Sequence, residues 1–270
     1  MVLAGLLGLA GCPARPGSPA AGAAAIPIDH IIVIFLENHT FDNLYGLFPG
    51  ANGIERPGAQ VAQVDRTGQP YRILPPVINA DPTRAADRRF PPDLPNRPFP
   101  INRYVSEREI VPSPVHRFYQ HQLQMNGGRM DRYVAWTDSG ALPMGYWETS
   151  RLPLARYARE YTLADNFFSA AFGGSYLNHM WLVCSCTPVF PNAPPRLVAQ
   201  PLFDGAGRLL DLARDGDVTP DGFVVNDLQP LNLPHGVRVP AEERVPPQTF
   251  LTIGDRLSEA GVSWAWYAGG

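Results

Sequence analysis

Charge is scarce in this chain and nowhere concentrated. Charged residues make up 17% of the 270 residues and the formal net charge is -3. No block of Lys and Arg forms the basic stripe by which proteins hold a nucleic-acid backbone, so nucleic acid is not an expected partner. An anionic substrate has to be held by local groups or by a cation. Several motifs are missing as well. There is no Gly-x-x-x-x-Gly-Lys-Ser/Thr loop, no Gly-x-Gly-x-x-Gly fingerprint and no His-Glu-x-x-His, which removes nucleotide-driven, dehydrogenase and zincin chemistry. The Gly-x-Ser-x-Gly elbow of the α/β-hydrolases is absent too. Cysteine occurs three times, an odd count that cannot close into pairs and is too small for a thiolate zinc set. Past the N-terminus no apolar run approaches the roughly 20 residues that span a bilayer.

What is present reads as a folded globular protein. Hydrophobic residues reach 45%, and the length suits one or two domains with a full core. Residues 1–25 read as a leader and tether. Met1 to Leu9 is short and apolar, Leu9-Ala10-Gly11-Cys12 has the form of a bacterial lipobox, and Ala, Pro and Gly dominate to Ala25. The expectation is export in a bacterium, to the periplasm, to the medium or to a membrane tether through Cys12.

Beyond the leader, Ile31-Ile32-Val33-Ile34-Phe35-Leu36 reads as a buried β-strand. A short helix follows over Thr40 to Tyr45. Residues 51–112 carry many prolines and read as a long ordered excursion or substrate-side cap rather than a core element. Val115 to Ala135 is expected to be one helix, broken near Asn126-Gly127-Gly128. Further helices are expected over Pro153 to Tyr161, from Ser175 to Val183 and over Thr252 to Ala260. Gly222 to Val225 and Val262 to Tyr267 are expected to be strands. The chain stops at Gly269-Gly270, directly after that last run, which predicts a C-terminally truncated product. Cys184 and Cys186, one residue apart, are open to three readings: buried thiols, a local disulfide or soft metal ligands.

Candidate chemistry gathers at two places. Glu37 and Asn38 follow the apolar run at once, so a strand would deliver a carboxylate and a carboxamide to the sheet edge where ligand sites of open α/β sheets lie. Both are oxygen donors of the type hard divalent cations take; the competing reading is a cap, with Asn38 on the turn and Asp42 structural. Ser175 follows Gly173-Gly174 at an expected helix start, where free backbone N–H groups favour an anion. It is either a nucleophile in need of a base or a metal, or a simple N-cap. Asn178 and His179 share its helix face, within reach of one anion. His116 and His121 would diverge by roughly 140° on one helix. His116 is therefore assigned to the phosphate or leaving group, and His121 to the surface. His235 has no assigned role.

Asp29 to Asp42, Asn126-Gly127-Gly128-Arg129-Met130-Asp131, Met144-Gly145-Tyr146 and Ala164-Asp165-Asn166-Phe167-Phe168 through His179 occur in that order. In these motifs the chain resembles the bacterial phosphoesterase family that joins non-haemolytic phospholipases C to respiratory-burst-inhibiting acid phosphatases. The resemblance runs from about residue 28 to the end. It implies an alkaline-phosphatase-like three-layer α/β/α sandwich, present here in part, with 26–270 the N-terminal part of the domain. It also implies a divalent metal ion held by Glu37, Asn38 and Ser175, with Ser175 as nucleophile and His116 on the phosphate side. Gly-Gly-Ser-Tyr-Leu-Asn-His resembles the acid-phosphatase branch, which points to a phosphomonoesterase. The alternatives are a phospholipase C acting on lipid head groups and a non-catalytic remnant, since family members continue past Gly270 with further acidic and histidine ligands.

Overall fold

A computed structural model describes residues 28–79, 81–233 and 235–267. The leader and Cys12 lie outside them. The chain divides into two compact units, Met1–Glu37 and Asn38–Gly270. In the first unit the described residues belong to no helix or strand, and Ile31 and Ile32 are each 83% exposed. The buried strand expected over Ile31 to Leu36 is therefore not formed. β-Branched residues favour a pleated, half-buried surface, but a strand exists only through the ladder a neighbour supplies. Neither of the two sheets among the described residues includes this run.

Among the described residues the second unit is a mixed α/β domain of short helices and two small sheets. Helix α1 (Phe41–Tyr45) starts where Thr40 Oγ1 accepts the Asn43 N–H at 3.2 Å, so Thr40 and not Asn38 is its cap. Strand β1 (Phe99–Pro100) runs parallel to β2 (Gly145–Tyr146), with Phe99 opposite Gly145. Around this pair lies a core of Leu74, Val77, Phe90, Phe99, Ile101 and Leu142 with their neighbours, most of them from the proline-rich stretch. That stretch was expected to stay out of the core, and instead it builds one. Prolines remove ladder donors, so it is joined by isolated bridges such as Ile73 with Pro95 and by aromatic packing of Phe90, Phe99 and Tyr104, not by long strands.

Helix α2 (Phe118–Met125) is much shorter than the expected Val115 to Ala135. Arg117 is extended (φ -127°, ψ 154°), and at the other end Asn126 takes a left-handed conformation (φ 49°) before Gly127 and Gly128, also at positive φ. Asn126 donates to Asp131 Oδ1 (2.7 Å) and accepts from Arg129, so the Asn-Gly-Gly-Arg-Met-Asp motif locks a turn instead of resuming a helix. Helix α3 (Pro153–Glu160) has its proline in the first turn, where a missing N–H costs nothing. Helix α4 (Ser175–Cys184) ends at Ser185 in the left-handed region, and Cys184 and Cys186 are joined in a disulfide with Cα atoms 5.2 Å apart. The open question on these cysteines is thus resolved toward the local disulfide.

Strands β3 (Gln200–Phe203) and β4 (Leu209–Arg214) form an antiparallel hairpin. A second core of Phe190, Leu197, Val218, Val224 and Val245 lies nearby, and Tyr176 of α4 packs on it. Gly222 to Val225 contributes isolated bridges, Phe223 to Val189 and Val224 to Val218. Helix α5 (Ile253–Glu259) carries a reciprocal cap between Thr252 and Asp255. The strand expected over Val262 to Tyr267 is not formed. The chain instead doubles back on α5: the Val262 N–H donates to Leu257 O (2.8 Å), the Trp264 indole donates to Ser258 Oγ (3.0 Å), and its ring leaves no room for a side chain at Gly254. No helix among the described residues is long and apolar enough to cross a membrane.

Candidate active site

The turn before Ser175 is shaped by what surrounds its two glycines. Gly173 has φ +128°, and a side chain there would run into the Val225 carbonyl. At Gly174 a Cβ would sit 2.6 Å from Asp227 Oδ1. Only glycine allows so close an approach. The seat is then fastened by hydrogen bonds: the Gly174 N–H donates to Val225 O (3.1 Å) and the Tyr176 N–H to Asp227 Oδ1 (2.8 Å). Leu177, 2% exposed, anchors the next position. Ser175 is left as the first residue of α4, at the positive end of its dipole.

Residues 225–227 serve two helices at once. Asn226 is fully buried; its Oδ1 accepts the Phe118 N–H at the start of α2 (2.8 Å) and its Nδ2 donates to Gly216 O (2.9 Å). Asp227 does the corresponding work at the start of α4. Neither residue stands out among the sequence candidates, although a signal is there. Val224-Val225 followed by Asn226-Asp227 repeats the apolar-then-polar pattern of Leu36-Glu37-Asn38.

His121 belongs to this site and not to the surface. The Gly173 N–H donates to His121 Nδ1 at 3.2 Å, so that nitrogen carries no proton and the ring is neutral. Burial, and to a smaller extent the neighbouring His116, push its pKa down from 6.5 to about 4. The five-residue spacing misled because α2 begins only at Phe118. His116 lies on the extended approach to it, not on its first turn, and the two imidazoles come near enough to interact. His116 Nδ1 lies 2.9 Å from Pro114 O. A carbonyl only accepts, so Nδ1 carries a proton.

His121 also makes stability depend on pH. Its native pKa lies below its unfolded value, so the unfolded chain binds the extra proton between about pH 6.5 and 4. The contribution is complete above pH 6.5 and is lost as pH falls through 4. Protonation there also abolishes the acceptor for Gly173. Urea unfolding at a series of pH values is expected to show a loss of about 3 kcal/mol across this window, absent in His121→Gln. A pH slope shared equally by wild type and variant contradicts the assignment.

The remaining candidates are spread around this turn and beyond it. Asn178 Nδ2 donates to Gly174 O (3.1 Å), bracing the same turn. His179 is half-buried one position further on. Asn38 is exposed before α1, and Glu37 is the last residue of the first unit. Behind the site, Arg117 bridges Asp215 (2.6 Å) and Asp217 (2.9 Å). Burial raises the Asp217 carboxyl above its ordinary range while Arg117 opposes it. Among the described residues no three His, Cys, Asp or Glu side chains come together as a metal-holding group.

The Phosphoesterase family model matches residues 28–270. Two curated relatives, each named Phospholipase C A, come from Mycobacterium tuberculosis strains CDC 1551 / Oshkosh and ATCC 25618 / H37Rv. Each is 26% identical over 179 residues, covering 63% of this chain and 32% of the relative. The matched region thus spans about a third of the length of those relatives.

Proposed function

Because this chain belongs to the phosphoesterase family, we propose that it hydrolyses phosphate esters through Ser175, with phosphodiesters of lipid head groups as the first substrate class. The observation that carries the reading is Ser175 at the opening of α4, on a turn clamped by Val225, Asp227 and His121. A clamped turn holds a nucleophile in one orientation toward its target. The names of the relatives favour a phospholipase C over the phosphomonoesterase suggested by the Gly-Gly-Ser-Tyr-Leu-Asn-His wording. Family membership also supports the alkaline-phosphatase-like sandwich as the fold.

In this mechanism Ser175 Oγ, its proton given up to solvent beforehand, attacks phosphorus in line, forming a seryl phosphodiester that keeps the head group as the P–O bond to the leaving group breaks. His116, its Nδ1–H fixed on Pro114 O, hands the proton on Nε2 to the departing oxygen. Water then cleaves the ester and His116 recovers the proton. Asp227 already takes the Tyr176 N–H, so the helix mouth is partly neutralised and phosphoryl charge has to be met by other groups. Asn178 and His179 are the proposed substrate-side contacts. A divalent cation is the proposed cofactor, and oxygens of the kinds that Glu37, Asn38 and Ser175 carry, carboxylate, carboxamide and hydroxyl, suit a hard ion. Such an ion would lower the pKa of the serine hydroxyl.

The test compares p-nitrophenylphosphorylcholine with p-nitrophenyl phosphate on the 270-residue chain. A kcat/KM about tenfold higher on the diester is expected. The reverse preference restores the phosphomonoesterase reading, and no turnover of either, with divalent metals supplied, supports the non-catalytic remnant.

A further inference from the structure

A cavity of about 650 Å³ opens on the side of α4 turned away from Ser175. Leu177 and Trp181 line it, and on a helix they stand roughly 200° and 240° round from the serine. It therefore lies apart from the face that carries Ser175, and its reading is independent of the hydrolase assignment. Its size is that of a small-molecule site.

The walls are aromatic and the mouth is acidic. Phe118, Tyr119, Phe172, Trp181 and Phe223 line it together with Asp221. Tyr119 and Leu177 are buried, whereas Phe172 and Phe223 are 49% and 40% exposed and form the rim. Trp181 is held in place by its indole N–H, which donates to Thr187 Oγ1 (3.2 Å). Asp221 is exposed and positioned by Thr219, whose hydroxyl donates to Asp221 Oδ1. Among the described residues its carboxylate enters no ion pair. The Asp221 charge also reaches Tyr119, whose hydroxyl pKa is raised first by burial and then by that charge.

Aromatic faces carry negative electrostatic potential, and rings gathered around one carboxylate attract a large, weakly hydrated cation. A neutral apolar molecule would gain from the rings but nothing from Asp221. A metal ion would find one carboxylate and few further oxygens. We propose that this cavity binds an organic cation of the quaternary or aryl-ammonium class, its charge against Asp221 and the Trp181 face. Phe172 directly precedes Gly173, so an occupant would also brace the turn that leads to Ser175.

The probe is 3-hydroxyphenyltrimethylammonium, with 3-tert-butylphenol as its uncharged counterpart of the same shape, titrated calorimetrically into the full chain at pH 7. The cation is expected to bind at least about fivefold more tightly than the neutral compound. Asp221→Asn should bring the two to similar affinity by weakening only the cation, and Trp181→Leu should weaken both while cutting the preference for charge. Circular dichroism confirms that each variant is folded. Equal binding of both compounds to the wild type, cation binding unchanged by Asp221→Asn, or no binding of either, overturns the proposal.

Discussion

Ser175→Ala is expected to abolish hydrolysis of p-nitrophenylphosphorylcholine, with a fall in kcat of about a thousandfold or more. The loss should fall on kcat, since the hydroxyl forms the bond that breaks in the second half of the reaction, whereas the groups proposed to hold the ester remain. Inorganic phosphate should still inhibit or bind the variant with an affinity within a few fold of wild type. The fold should be unaffected, because α4 is capped by Asp227 through the Tyr176 N–H and not by the serine. Ser175→Ala with undiminished turnover would move the nucleophile elsewhere.

Gly173→Ala is expected to have the largest effect on stability. Two penalties add at this residue. Its φ of +128° is a conformation L side chains rarely adopt, and the new methyl would meet the Val225 carbonyl oxygen at far less than contact distance. Relief requires Val225 to retreat, which pulls on Gly174, whose N–H donates to the same oxygen. The combined cost is about 3 kcal/mol or more, read as a lower urea midpoint. Gly50→Ala is the control: Gly50 also has positive φ (+82°), yet nothing lies within 4 Å of its added Cβ. The control should cost only the conformational strain, about 1–2 kcal/mol. Equal losses in the two variants would show that the Val225 contact contributes nothing.

Helices were legible from sequence wherever a local signal fixes their start. Thr40 before Phe41, Pro153 in a first turn, the glycines before Ser175 and Thr252 three residues before Asp255 each act within a few residues, and the helices begin there. Strands were less legible because pairing is not local. Ile31 to Leu36 and Val262 to Tyr267 have strand-like composition without a ladder among the described residues. The β3 and β4 pair forms around Leu209 to Arg214, a stretch with no β-branched residue. Its register depends on the turn, where Asp204 Oδ1 accepts the Ala206 and Arg208 N–H groups.

The site was legible in the same uneven way. Ser175 could be picked out because its glycines and helix start are adjacent in sequence. The residues that fasten its turn could not, since His121 is 52 positions before Gly173 and Asp227 is 51 after Tyr176. His121 was misassigned for a specific reason. Counting helical spacing from His116 presumes a helix that already includes it, and the extended Arg117 breaks that count.

The proposed mechanism turns on a covalent phosphoryl ester at Ser175. Rapid acid quench of the 270-residue chain during turnover of p-nitrophenylphosphorylcholine, with peptide mass spectrometry of the quenched protein, tests it directly. A peptide carrying a phosphorylcholine ester on Ser175 is expected, absent from Ser175→Ala. Sustained turnover with no phosphorylcholine-modified protein at any quench time, or with the modification on another residue, would contradict it.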